Sequence, residues 1–248
     1  MMSWCLLALV VVFFNVHEVA ALSPVTGMSR RRMAQAVFVP LVSIPPAYAF
    51  ENALPAAAEY ADRPKRRGPA PTDLGLKVRE TVDSDEPELK LCGGAPNCFC
   101  TSADDVAPEH FVEKWRAPAT MSRDDAIASV REALKNYEVG QQGIDGGGFQ
   151  IKTDKDGYFY AIFESLRNGY NDDLELAVVD GNYLKFRSSS RVGYLDFAVN
   201  AKRLNYIATQ LRKKGWAAPD ITPQTHPSYW LQNAPKSDQV PPSTAFRR

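Results

Sequence analysis

Between Arg187 and Arg203 the chain reads RSSSRVGYLDFAVNAKR, a string dense in groups able to do chemistry. Two arginines, Arg187 and Arg191, bracket Ser188, Ser189 and Ser190. Asp196, Asn200 and Arg203 follow at i, i+4 and i+7, a spacing that puts them on one face of a helix. Guanidinium groups fork onto carboxylate or phosphate, and hydroxyls with backbone N–H groups near a helix start add further donors. The candidate ligand-binding set is therefore Arg187, Ser189, Arg191, Asp196, Asn200 and Arg203, and its ligand class is a small anion or a lipid headgroup. The competing reading is a buried network that fixes the fold. In it Asp196 pairs with Arg187 or Arg191 and caps the helix, while Asn200 ties the strand end to the helix. Nucleophilic catalysis by a serine fits poorly, because no G-x-S-x-G elbow is present and nothing places His110 or His226 beside the serines. Asp172 and Asp173 read as turn residues in a loop, not as a glycosidase pair. No catalytic residue is assigned.

A second group of reactive side chains is Cys92, Cys98 and Cys100. A Cys92–Cys98 disulfide closes a loop of about seven residues and is worth roughly 2 kcal/mol on the chain-entropy relation. Cys92–Cys100 is the alternative pairing, and either choice leaves one thiol over. A zinc site from the three cysteines and His110 lacks the usual C-x-x-C knuckle, so no metal and no cofactor is assigned. A redox role for the remaining thiol asks for a neighbouring base, for which His110 is the candidate near in sequence.

The elements that must position these groups follow from periodicity. Residues 122–137 read as a helix: Ser122 suits the N-cap, Asp124 and Asp125 suit the positive end of the helix dipole, and Ile127, Val130, Leu134 and Tyr137 form a stripe. The glycine-rich stretch 140–148 lacks the ending of a phosphate loop and reads as a mobile connection. Segments 149–153 and 158–166 flank an Asp-Lys-Asp-Gly turn, and 174–179 and 183–188 flank Asp180-Gly181-Asn182. That gives two hairpins. A longer helix is predicted over about 196–214, ended by Gly215. The fold class is α+β: about four antiparallel strands, a helix before them and a longer helix after, both covering one face. Residues 50–88, rich in Ala and Pro with a basic cluster at 63–67, read as an extended linker. The Pro-rich tail, 215–248, carries Trp216, Tyr229 and Trp230 and is expected to pack back on the domain; docking on a partner is the other reading.

The first 49 residues read as three delivery signals in series. Residues 4–14 form a short apolar run followed by Val19-Ala20-Ala21, as in a secretory signal peptide; a short membrane anchor is the other reading. Residues 22–32 are hydroxylated, basic and free of acids, as transit peptides are, although Leu22 stands where an aromatic residue is usual. Arg30, Arg31 and Arg32 then precede a mildly apolar stretch ending in Ala47-Tyr48-Ala49, which resembles a twin-arginine signal. In this order the three resemble the leaders of algae with secondary plastids, and they point to the thylakoid lumen. After Phe50 no run reaches the ~18 apolar residues a membrane span needs, so no transmembrane segment is expected in the mature protein.

Composition sets outer bounds. Apolar residues make up 45% and charged residues 23%, which suits a globular domain rather than a disordered chain. The 29 basic and 29 acidic residues balance, and setting aside the leader's three arginines and one glutamate leaves a net charge of −2. Such a charge gives no electrostatic reason to expect nucleic-acid binding.

Two strings carry a family resemblance. One is Leu91-Cys92-Gly93-Gly94-Ala95-Pro96-Asn97-Cys98; the other is the string from Arg187 to Arg203. In this order and separation they resemble the family catalogued as domain of unknown function 1499, whose pattern runs L-x-x-C…P-N-C and then R-S-x-S-R-x-G-x-x-D-x-x-x-N-x-x-R. The resemblance covers roughly 89–211, and the expected domain 89–214. It implies a small α+β domain found in bacteria and plastids, with no activity attached. The sequence departs from the pattern at Phe99-Cys100, where the family continues with small and hydroxylated residues, so Cys100 is an extra thiol. The expected function is a non-enzymatic accessory protein of the thylakoid lumen that binds or helps assemble a photosynthetic membrane complex. The alternatives are a small-anion or headgroup binding module and an enzyme of unassigned chemistry, both built on the Arg/Ser/Asp/Asn cluster.

Overall fold

The computed structural model describes residues 50–80, 85–102 and 108–234. The leader expected over 1–49 and the end of the tail, 235–248, lie outside the described residues. Four long strands form an antiparallel meander: β3 (Phe149–Lys155), β4 (Tyr158–Glu164), β5 (Asn171–Val179) and β6 (Tyr183–Ser190). Two short strands, β1 (Cys98–Cys100) and β2 (Trp115–Arg116), pair with the free side of β6 and complete the sheet. The α+β expectation holds. The additional strands escaped the periodicity because three and two residues are too few to alternate.

Local chemistry explains the elements. The β3–β4 hairpin turns on Asp156 and Gly157, both in the left-handed region at φ 52° and 84°, the backbone a two-residue hairpin of this hand requires. Helix α1 (Arg123–Lys135) starts where Ser122 Oγ accepts from Asp125 N at 3.1 Å. Helix α2 (Val199–Arg212) starts three residues later than expected, since Phe197 and Ala198 have φ of 55° and 61°. Asp196, standing before this kink, reaches over it and accepts from Ala198 N and Asn200 N, both at 3.0 Å, so it caps the helix from outside. A short α3 (Pro227–Asn233) packs back on the domain, burying Trp216, Ile221 and Tyr229, as expected of this part of the tail.

Strand alternation divides the sheet into two faces. One presents Phe99, Phe159, Phe163, Leu174, Leu176, Leu184 and Phe186 to the buried stripes of α1 and α2, forming the apolar core. The other presents Tyr158, Tyr160, Asp173, Glu175, Lys185, Arg187 and Ser189. Residues 50–80 and 85–92, expected as a linker over most of their length, are not a free spacer: a 3-10 helix at Pro55–Tyr60 is followed by largely extended chain. They lie against the sheet as a strap. Phe50 N and Leu54 N donate to Gly147 O and Gly146 O, Arg67 pairs with Glu164 at 2.9 Å, and Gly75 N donates to Glu175 at 2.7 Å. Lys185, with almost no solvent exposure, is held by Glu88 at 2.8 Å and by Pro87 O at 2.9 Å. A sheet face carrying this many charges needs a polar cover, and the strap supplies one.

The glycine-rich stretch is also packed. At Gly147 a Cβ would stand 2.8 Å from Glu164 O and 2.9 Å from Ser165 O, so only glycine lets the loop approach β4 this closely. The expectation of a mobile connection is replaced by a buried loop that carries Asp145 inward, where it is 4% exposed.

Candidate functional site

The residues singled out for binding divide between the two faces. Asp196, Asn200 and Arg203 turn to the helix side and are buried. There Arg203 spans two acids: Nε and Nη2 donate to Asp145 at 2.9 and 2.6 Å, and Nη2 also donates to Asp172 at 2.7 Å. Its Nη1 donates to Asn200 Oδ1 at 2.9 Å and Ser188 Oγ at 3.2 Å, and its plane lies over the Phe163 ring at 4.5 Å. Ser188 donates to Asn200 Oδ1 at 2.6 Å, while Asn200 Nδ2 reaches Asp196, Asn97 O and Ser190 at 2.8, 2.9 and 3.1 Å. Asp196 further accepts from Tyr229 at 2.9 Å. Asn233 closes the far end: its Oδ1 accepts from Asp196 N and Phe197 N, and its Nδ2 donates to Pro96 O.

This is a closed network tying β5, β6, both motif strings, α2 and α3 together. The pairing expected for Asp196 is corrected, because it meets neither Arg187 nor Arg191. It spends its oxygens on the α2 start and Tyr229, while Asp145 and Asp172 take the cation. Asp172 and Asp173 are not turn residues. They belong to β5 and point to opposite faces, Asp172 toward Arg203 and Asp173 toward Arg191.

Burial governs the titration of these groups. It raises the Asp172 carboxyl, with Arg203 opposing, and raises Asp196 against its hydrogen bonds from Asn200 and Tyr229. It works to lower Arg203, but the charges of Asp145 and Asp172 outweigh it and hold the guanidinium well above its ordinary value. Tyr137, which donates to Asp145 at 2.6 Å, is raised by burial and by that carboxylate.

Arg191, Arg187 and Ser189 turn to the strap side. Arg191 forks onto Asp173 at 2.8 and 2.7 Å and touches Tyr160, whose hydroxyl also donates to Asp173 at 2.7 Å. Hydrogen bonding to Asp173 raises the Arg191 pKa. Ser189 Oγ makes one long bond, 3.4 Å to Ser190 O. Arg187 differs from the other two motif arginines: no ion pair holds it among the described residues, and its buried Nε has no hydrogen-bond partner. Burial lowers its pKa.

The cysteines adopt the first of the two pairings, Cys92–Cys98, with Cα atoms 5.7 Å apart. Cys100 is the buried thiol outside it, donating to Ser102 O at 3.3 Å. His110 Nδ1 lies 2.9 Å from Cys98 O and His226 Nε2 lies 3.0 Å from Phe111 O, so both rings are occupied by backbone rather than by the serines. Among the described residues no cluster of His, Cys, Asp or Glu has the arrangement of a metal site. No helix there is long and apolar enough to cross a membrane. A surface cleft between α1 and α2, lined by Glu132, Asn136, Lys213 and Lys214 among others, includes no motif residue.

Sequence reasoning missed Asp145, Asp173, Glu175 and Tyr229. For two of these a signal existed: in Asp173-Leu174-Glu175-Leu176 acids alternate with leucines, the mark of a strand with one polar face. Asp145 carried none, since it sits in a loop at φ 54°.

Fold and network together define an α+β domain whose motif residues weld a helix-covered antiparallel sheet to its flanking segments. A family model described as protein of unknown function (DUF1499) matches residues 88–211, and the chain belongs to that family. Both motif strings lie inside the match, and so do the disulfide and the Arg203 ion pairs, while Tyr229 and Asn233 lie beyond it. No curated protein and no solved structure matches the chain.

Proposed function

We propose that this is a non-enzymatic accessory protein of the thylakoid lumen that binds, or helps assemble, a photosynthetic membrane complex. The observation that carries the reading is Phe197. It is 67% exposed and stands at φ 55°, a conformation that costs a bulky aromatic residue on the order of 1–3 kcal/mol. The kink lets Asp196 cap α2, but the aromatic side chain itself buries little and its exposure does not serve folding. The backbone there is nonetheless locked, with Asn233 holding Phe197 N at 3.1 Å. Tyr194 and Leu231, 62% and 71% exposed, lie on the two segments that Asn233 joins. An apolar side chain pinned outward in this way suits recognition by another protein. Two further points support the reading: the three signals of the leader, and the internal satisfaction of the Arg203 network, which leaves no reactive group there for a substrate.

The test uses purified protein added to gently solubilised thylakoid membranes, followed by native electrophoresis. Wild type is expected to co-migrate with a membrane complex. Phe197→Asn is expected to lose that co-migration with an unchanged or slightly higher melting temperature, because asparagine tolerates the left-handed region. Equal co-migration of the variant would remove Phe197 from the docking surface.

A further inference from the structure

The strap-side face holds two opposite charges that are direct neighbours and do not meet. Glu175 and Arg187 are cross-strand partners on β5 and β6, so their side chains leave the same face from backbones about 5 Å apart. Yet no ion pair joins them. The Glu175 carboxylate is anchored elsewhere: its Oε1 accepts from Gly75 N at 2.7 Å and from the Tyr158 hydroxyl at 2.8 Å. Its Oε2 is buried with no hydrogen-bond partner, and so is Arg187 Nε. Buried polar atoms left unmatched are few in native proteins, and two on adjacent residues ask for a shared partner.

We propose that Arg187 and Glu175 bind a small oxyanion that carries its own proton, of the bicarbonate or dihydrogen phosphate class. A guanidinium offers donors alone, and a carboxylate oxygen accepts alone. A single molecule that satisfies both must therefore accept from Arg187 and donate to Glu175. Fully deprotonated sulfate can do the first and not the second. A dianion would meet the negative charges of Glu175 and Asp173 on the same face more strongly than a monoanion does. The strap restricts the site to small ligands, since Gly75 is hydrogen-bonded directly over Glu175. Burial lowers the Arg187 pKa although the charges of Glu175 and Asp173 oppose it, and a bound anion would add to that opposition.

Isothermal titration of the purified protein at neutral pH in closed cells, with bicarbonate, phosphate and sulfate in turn at matched ionic strength, tests the site. Saturable binding of bicarbonate or phosphate is expected, with sulfate at least about tenfold weaker; whichever of the two protonated anions binds more tightly identifies the source. Arg187→Gln is expected to weaken binding by about tenfold or more, the loss of a charge-assisted pair of bonds. Glu175→Gln keeps the side-chain shape and presents an amide donor where the acceptor was, so it is expected to raise sulfate binding toward that of phosphate. Absence of binding by either protonated anion, sulfate binding equal to theirs in the wild type, or an unchanged preference in Glu175→Gln would each overturn the proposal. The selectivity change keeps the test decisive if Arg187→Gln fails to fold.

Discussion

Replacing Arg203 with methionine removes the cation on which the helix-side network converges. The side chain has no solvent exposure, and its partners Asp145 and Asp172 have 2% and 9%. Methionine fills much of the same volume, so the loss is electrostatic rather than a cavity. Two carboxylates lose their counter-charge at once, and only neutral hydroxyl donors remain, Tyr137 for Asp145 and Ser190 for Asp172. Breaking a buried ion pair from one side costs about 3–5 kcal/mol, against a total stability of roughly 5–15 kcal/mol for a domain. For about 200 residues this lowers the melting temperature by roughly 6–20 °C. Urea unfolding followed by the fluorescence of the buried Trp115 and Trp216 reads the difference directly. The stranded carboxylates can take up protons, so the loss is expected to be smaller at pH 5 than at pH 8. A loss below about 1 kcal/mol, or one independent of pH, would refute the claim that this network holds the sheet to its helix.

In the wild type, Asp172 and Asp196 hold their protons more tightly folded than unfolded, so the stability they contribute is full below about pH 4 and is lost as pH rises through their raised values. Asp73 and Asp154, lowered by bonds from Arg79 and from Arg131, act oppositely: their contribution is present above about pH 4 and lost below it. The melting temperature is therefore expected to be higher at pH 5 than at pH 7.5 and to fall again below pH 4, and a scan across that range checks it. Cys92→Ser opens the small disulfide loop and is expected to cost about 2 kcal/mol in the same urea assay, while dithiothreitol treatment should leave the variant's midpoint unmoved.

Much of the fold was legible because long elements repeat their pattern. The four strands of the meander and helix α1 carry alternation or a 3.6-residue stripe over enough residues to be read. The contacts between distant segments were not. The string from Arg187 to Arg203 reads as one polar cluster, yet a strand sends successive side chains to opposite faces, so Ser188 and Arg187 end in different environments. The partners of Arg203 and Arg191 come from elsewhere: Asp145 from a loop, Asp172 and Asp173 from β5. Local spacing cannot reveal which of many acids tertiary packing delivers. The strap was missed for a related reason. A largely extended segment with one short 3-10 helix carries no sustained period, and its role depends on the charged sheet face beneath it, through residues such as Glu175 and Lys185.

Native electrophoresis of the endogenous protein from gently solubilised thylakoids, with immunodetection after a salt wash, tests the functional account most directly. The expected result is co-migration with a photosynthetic membrane complex. Migration near the mass of the lone chain in the soluble lumen fraction would contradict it.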